Sequence, residues 1–312
     1  MAPSHHNSQP WSLGVGADWV EVWADRSRQA EFSDPDGRQL LIGAGAAVYA
    51  VRLELAELGW ASAVEPQPDP DRPDLAARVR VTAAGAVSPE LHALWQQIPR
   101  RRTVRSRMQA DLEPGLRRLL ALHAVAEGCG LRWVEAPAER RALASLVALA
   151  ENAQQRDPRL LGELAHWVGP DVLAAGTGIP PYALGPTGEA GHAGEFPLRD
   201  FGGGARRPMA STRPPEPDPA VAVLTTGSDE PADWLRAGQG LMRLLLAATA
   251  HGLAASFLNQ PLENRGLRTQ VRSELALHGA PQVVLRLGRP TGLWPPAPPR
   301  RPPHDLLRGP QG

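Results

Sequence analysis

The 312-residue chain contains no lysine, so all 33 of its basic residues are arginine. A phosphate bound here must therefore be held by guanidinium forks or backbone N–H groups, never by an ammonium. There is one cysteine, Cys129, which excludes an intrachain disulfide and fits a reducing compartment. Net charge is also lacking, with 33 acidic residues against 33 basic ones. Without an excess positive field, nucleic acid is not an expected partner. No apolar run approaches the roughly 20 residues that span a bilayer. No basic segment followed by an apolar core opens the chain, so no signal peptide is expected. These absences predict a cytoplasmic protein with no membrane partner. At this length the chain can still bury a sizeable core.

Hydrophobic patterning gives mixed elements. Strands are predicted over Trp11–Val15, Val20–Trp23, Arg78–Thr82, Leu131–Val134, Ala220–Leu224 and Gln282–Leu287. Asp34-Pro35-Asp36-Gly37 reads as a turn, and Val51, Leu55 and Leu58 have helical spacing ahead of a stop at Gly59. Ser88-Pro89-Glu90 opens a helix with Ser88 as N-cap. Leu116, Leu119, Leu120 and His123 share a helical face, helices are expected within 138–167, and Trp234, Leu241, Leu244, Leu245 and Ala248 describe a long amphipathic helix ending at Gly252. Residues 176–219 are Gly/Pro-rich with no periodicity, a lid-like loop. Strands and helices mix without a regular βαβ period, which predicts an α+β fold.

Several signals lead nowhere. Leu40–Val48 looks like a strand entering a dinucleotide-binding glycine turn, but Val48 stands where the third glycine belongs. His5-His6 has no companion cysteines or carboxylates at metal spacing, so no metal is expected. There is no GxSxG elbow. Cys129 has no local base and reads as buried, and the nine tryptophans read as core.

Two short stretches carry more. Residues 2–11 read APSHHNSQPW, and Arg101-Arg102-Thr103-Val104-Arg105 lies within a run of five arginines from Arg100 to Arg107. Together they resemble the two flavin-binding signatures of the nitroreductase family, PSSxNxQPW and RRSxR. In that family FMN sits at a homodimer interface, and RRSxR precedes the other signature within each subunit. Here the order is inverted. Downstream of Thr103, residues 126–133 keep only Trp133 of the second signature. The resemblance thus implies two nitroreductase-like halves fused in one chain, divided as 1–97 and 98–312, with one complete flavin site. A monomer would suffice.

Within the family the chain resembles the Acg branch of actinobacterial FMN-binding proteins. The likeness extends through SRQAEFSDPDGRQLLIGAGAA (27–47), IPRRRTVR (98–105), WLRAGQGLMRLLLAATAHGLAASFLNQPLE (234–263) and APQVVLRLGRP (280–290). It implies a three-layer α/β/α nitroreductase-like fold binding FMN, with NAD(P)H as reductant. Arg101 and Arg102 would contact phosphate and ribityl oxygens, Thr103 would add a hydroxyl, and Arg105 would approach the N1/O2 edge. Pro3, Ser4 and Asn7 would cover the flavin, and Asn259 and Gln260 would face N5. Arg300 or Arg301 would close the phosphate site. Phosphate binding by bidentate arginine is strong and geometrically specific. Because hydride chemistry takes place on the cofactor, no catalytic side chain is named. The acceptor would be a small nitroaromatic or quinone-type molecule; the alternative is an FMN-sequestering protein whose lid keeps reductant out. A motif at the extreme start of the chain is expected to fray.

Overall fold

A computed structural model describes residues 2–169, 171–185, 195–202 and 216–309. Half of the lid-like loop, at 186–194 and 203–215, lies outside the described residues.

The turn at Asp34–Gly37 launches the longest apolar element. Gly37 takes φ +72° at the helix start, and the Asp34 carboxylate accepts from Gln39 N and Leu40 N, both at 2.8 Å. Helix α1 then runs Arg38–Glu57 and stops before Gly59, whose φ is +79°. The stretch 40–48 is continuous helix, which removes the dinucleotide reading. By length and composition α1 is apolar enough to cross a membrane, which corrects the expectation that no run reaches that length. Here its apolar faces are filled by protein instead.

Strands β1 (Trp11–Val15), β2 (Trp19–Ala24), β3 (Trp60–Pro66) and β4 (Leu75–Ala84) form an antiparallel sheet in the order β1-β2-β4-β3. Val22, Ala24, Ala77 and Val79 turn onto α1. Helix α2 (Pro89–Trp95) follows, capped by the Ser88 hydroxyl. The C-terminal part holds β5 (Met108–Gln109), α3 (Pro114–Val125), β6 (Gly130–Trp133), α4 (Pro137–Gln154), α5 (Pro158–Trp167), β7 (Ala220–Thr226), α6 (Pro231–Ala250), β8 (Ala254–Phe257), α7 (Arg265–Glu274), β9 (Ala280–Pro290) and a last turn, α8 (Pro303–Leu306). Strand β9 is the axis of the second sheet. β7 pairs along one edge of it, with β6 beyond, and β5 and β8 pair with it as well.

The period of two along β7 and β9 sorts this sheet's faces. Ala220, Ala222, Leu224, Val283, Leu285 and Leu287 join α6 and α1 in one core. Val221, Val223 and Val284 join Leu143, Val147 and Val271 of α4 and α7 in another. The result is helix–sheet–helix layering, the predicted α+β class. α1 and α6 cross at glycines: a Cβ on Gly45 would lie 2.1 Å from Leu235 O, and one on Gly238 would lie 2.0 Å from Ile42 O.

Among the elements missed in the sequence, β3 is largely exposed and α7 has little apolar content of its own. α7 buries only Arg268 and Val271. Of the nine tryptophans, Trp11, Trp23, Trp167 and Trp234 are buried, whereas Trp60 and Trp294 are exposed. Their common assignment to the core is corrected accordingly.

Candidate functional site

The N-terminal segment does not fray. Ala2, His6, Ser8 and Gln9 are buried, correcting the expectation from chain position. The backbone wraps tightly: Ser4 Oγ accepts from Gln9 N at 2.9 Å, and Asn7 N donates to Ser4 O at 3.0 Å. His6, Asn7 and Gln9 take φ of 49°, 55° and 51°. Such left-handed non-glycine residues persist where the surroundings over-determine them, often at functional sites. The surroundings here are polar clamps. Asn7 Nδ2 donates to Gly178 O at 3.0 Å and Pro299 O at 3.1 Å. Gln9 Nε2 donates to Gly176 O at 2.8 Å, while its Oε1 accepts from Arg301 N at 3.0 Å. One turn therefore ties together the 176–178 loop and the C-terminal tail.

The Arg101–Arg105 segment runs beside β8, with Val104 N donating to Ala255 O at 3.0 Å. Arg101 is 4% exposed. Arg102 Nη1 donates to Pro99 O at 2.7 Å, and Arg105 Nη1 donates to Ala183 O at 2.6 Å with its guanidinium over the Phe201 ring. Beyond β8, Asn259 Oδ1 accepts from Val284 N at 2.9 Å, and Gln260 Nε2 donates to Glu151 at 3.1 Å. From the tail, Arg300 Nη1 donates to Ala2 O at 2.9 Å.

These segments enclose one cavity. Pro3, Ser4, Asn7, Arg101, Arg102, Thr103, Arg105, Asn259, Gln260 and Arg300 all line it. Arg301 does not. Its guanidinium donates to Gln9 O and Trp11 O at 3.0 Å and to Asp305 O at 2.7 Å, so it fastens the tail to the N-terminal turn. The sequence reading gave no flavin-site role to Gln39, His5, His6, Arg199, Ser256 or Glu263, which also line the cavity. Gln39 was legible only as the second residue of α1. Arg199 lay in a stretch without periodicity.

The cavity is electrostatically one-sided. Burial, then Arg300 and Arg102, push Arg101 down to about 9. Burial, then Arg199 and Arg286, take Arg105 to about 10; burial and Arg102 take Arg300 to about 10. Burial with Arg199 and Arg38 pushes His5 down to about 3, so its imidazole is neutral. The cavity's acid among the described residues, Glu263, is held 2.5 Å from Arg199. Like charges pressed together in low dielectric disfavour their charged forms, and an anion placed among them reverses that cost.

Unmet hydrogen bonds point the same way. Among the described residues, buried side-chain polar atoms without a partner include Gln39 Nε2, Arg102 Nε, Gln260 Oε1 and Arg300 Nε, all on cavity-lining residues. Buried polar groups are nearly always satisfied, so a polar ligand rich in acceptors fits this wall. A dianionic phosphate attached to a polar chain and a ring with N–H and carbonyl edges has that chemistry.

No family model matches the chain. Among curated proteins, one from Mycobacterium tuberculosis named "Putative NAD(P)H nitroreductase" is 34% identical over 290 residues, covering 92% of this chain and 81% of that protein. A second from the same organism, "Putative NAD(P)H nitroreductase acg", is 30% identical over 318 residues, covering 98% and 92%. Among solved structures, nitroreductase A from Vibrio parahaemolyticus matches at TM-score 0.42 and 13% identity over 70% of this chain and 77% of its own. The FMN- and NADPH-dependent nitroreductase NfnB from Sphigopyxis matches at TM-score 0.43 and 19% identity over 70% and 99%.

Proposed function

The chain belongs to the nitroreductase superfamily, in its Acg-like branch, and from that premise we propose that it is a cytoplasmic FMN-dependent NAD(P)H oxidoreductase reducing small nitroaromatic or quinone-type acceptors. The observation that carries this reading is the convergence of Arg101, Arg102 and Arg300, beside partnerless Gln39 and Gln260 atoms, on one cavity. Arg101, Arg102 and Arg300 hold the phosphate, with Thr103 Oγ1 as a further hydrogen-bonding group. Arg105 supplies positive charge at the N1/O2 edge, stabilising negative charge there. Asn259 and Gln260 would face the N5 edge, while Pro3, Ser4 and Asn7 would cover the ring. Bound FMN would supply two-electron transfer between NAD(P)H and the acceptor. The protein binds, orients and keeps water away. The two halves, 1–97 and 98–312, stand in for a family dimer, so one chain completes one site.

A second reading, sequestration of FMN without turnover, is favoured by the cover over the cavity. Pro295, Pro296 and Pro298 of the tail and Ile179 and Pro180 line it, and Tyr182 Oη donates to Ala297 O at 2.8 Å, tying tail to loop. Anaerobic NADPH separates the two. Bleaching of the bound flavin's visible absorption supports the oxidoreductase; an oxidised spectrum that persists with both NADH and NADPH refutes it and leaves sequestration.

A further inference from the structure

The family motif does not account for Ser33 and Glu163. Ser33, 7% exposed, lies in the loop before α1, and Glu163 is half-buried on α5. Ser33 Oγ stands 2.5 Å from Glu163 Oε1 and 3.0 Å from His5 Nε2. The carboxylate is fixed by Phe32 N at 2.7 Å and Ser33 N at 3.1 Å. His5 lines the main cavity, while Ser33 and Glu163 line a small neighbouring pocket with His6, Arg199 and Glu263. A continuous hydrogen-bonded line thus runs from the side of α5 to the cavity wall.

Its polarity follows from proton counting. A hydroxyl has a single hydrogen. With Glu163 ionised, Ser33 donates to the carboxylate and His5 Nε2–H donates to Ser33, leaving Nδ1 as an acceptor. With Glu163 protonated, the carboxyl donates to Ser33, Ser33 donates to Nε2, and the imidazole proton sits on Nδ1. We infer that Glu163, Ser33 and His5 form a proton inlet that recharges His5 for delivery into the cavity.

The use of the proton rests on the oxidoreductase reading; the line itself does not. Two-electron reduction of a quinone-type acceptor, with NAD(P)H as the ultimate reductant, consumes one hydride equivalent and one proton. The proton leaves His5 Nδ1 as Nε2 takes one from Ser33 Oγ. Ser33 takes one from the Glu163 carboxyl, water reprotonates Glu163, and a turn of the imidazole that carries the new N–H to the cavity side resets the relay. His5 works by exchanging tautomers, because burial and the facing Arg199 and Arg38 keep it from holding charge. His6 stacks on it at 3.8 Å between ring centroids, and Arg199 is matched by Glu263 on the same side.

The test needs no flavin. In 15N-histidine-labelled apoprotein, with the His5 signals assigned by loss in a His5→Gln variant, the Nε2–H tautomer should dominate at high pH. It should give way to Nδ1–H as the pH is lowered. Glu163→Gln keeps an oxygen for Phe32 N and Ser33 N but cannot protonate, so the exchange should vanish in it, as in Ser33→Ala. A wild-type tautomer ratio that ignores pH, or one that responds equally in Glu163→Gln, overturns the inference. In FMN-loaded protein, single-turnover acceptor reduction should slow about 100-fold in Glu163→Gln, at the low end of general-acid contributions. Failure of FMN to bind while the tautomers behave as expected would sink the flavin reading and leave the inlet standing.

Discussion

Arg300→Met should move stability and ligand affinity in opposite directions. Burial beside Arg102 lowers the Arg300 guanidinium well below its ordinary value, to about 10, and each pKa unit corresponds to about 1.4 kcal/mol. The sign follows: a base whose folded pKa is depressed destabilises the fold fully at pH 7, and the cost is relieved only as pH climbs past about 10. That is on the order of 3 kcal/mol, reduced to about 2 because the half-buried side chain keeps some screening solvent. Methionine retains the apolar stem but loses the 2.9 Å bond to Ala2 O, a loss of about 1 kcal/mol. The apoprotein should therefore gain about 1 kcal/mol, raising its melting temperature by about 2 °C in phosphate-free buffer. FMN should bind about 10- to 100-fold more weakly, the loss of one charge-assisted hydrogen bond worth about 1.5–3 kcal/mol. Differential scanning calorimetry with and without FMN, and a fluorescence titration, read both quantities. A destabilised apoprotein with unchanged FMN affinity would refute the view that Arg300 is held in waiting for an anion.

Three further outcomes are expected. Gly238→Ala places a Cβ 2.0 Å from Ile42 O, forcing α1 and α6 apart; it should destabilise by at least about 2 kcal/mol in urea unfolding, and wild-type stability would contradict the crossing. Asn7→Ala removes the clamps to Gly178 O and Pro299 O and puts alanine at φ 55°. Trypsin should then cut after Arg300 at least about 10-fold faster, since cleavage follows the population of the open segment, and an unchanged rate would show that the tail is held elsewhere. The Cys129 thiol, pushed up to about 12 chiefly by burial, should resist a thiol reagent at pH 8 in native protein and react once unfolded; native reactivity would place it at the surface.

The sequence made the fold legible where pattern and punctuation agreed. Gly59 marked the end of α1 and the spacing of Val51 and Leu55 its second half, while short apolar runs marked β7 and β9. β3 and α7 were missed because Trp60–Pro66 is largely exposed and α7 buries little, so neither writes an apolar period. For the site, short motifs with fixed spacing named ten residues of a single cavity wall, although they are far apart in the chain. Arg301 was indistinguishable from Arg300 in sequence; only the geometry turns one inward and the other onto Gln9 O and Trp11 O. Ser33 and Glu163, 130 residues apart, carry no mutual signal at all.

The most direct test of the account is a titration of the purified chain with FMN, followed by flavin fluorescence and visible absorption. The account predicts saturable binding at one FMN per chain, abolished by combined substitution of Arg101, Arg102 and Arg300. A correctly folded protein that leaves added FMN free in solution would contradict it.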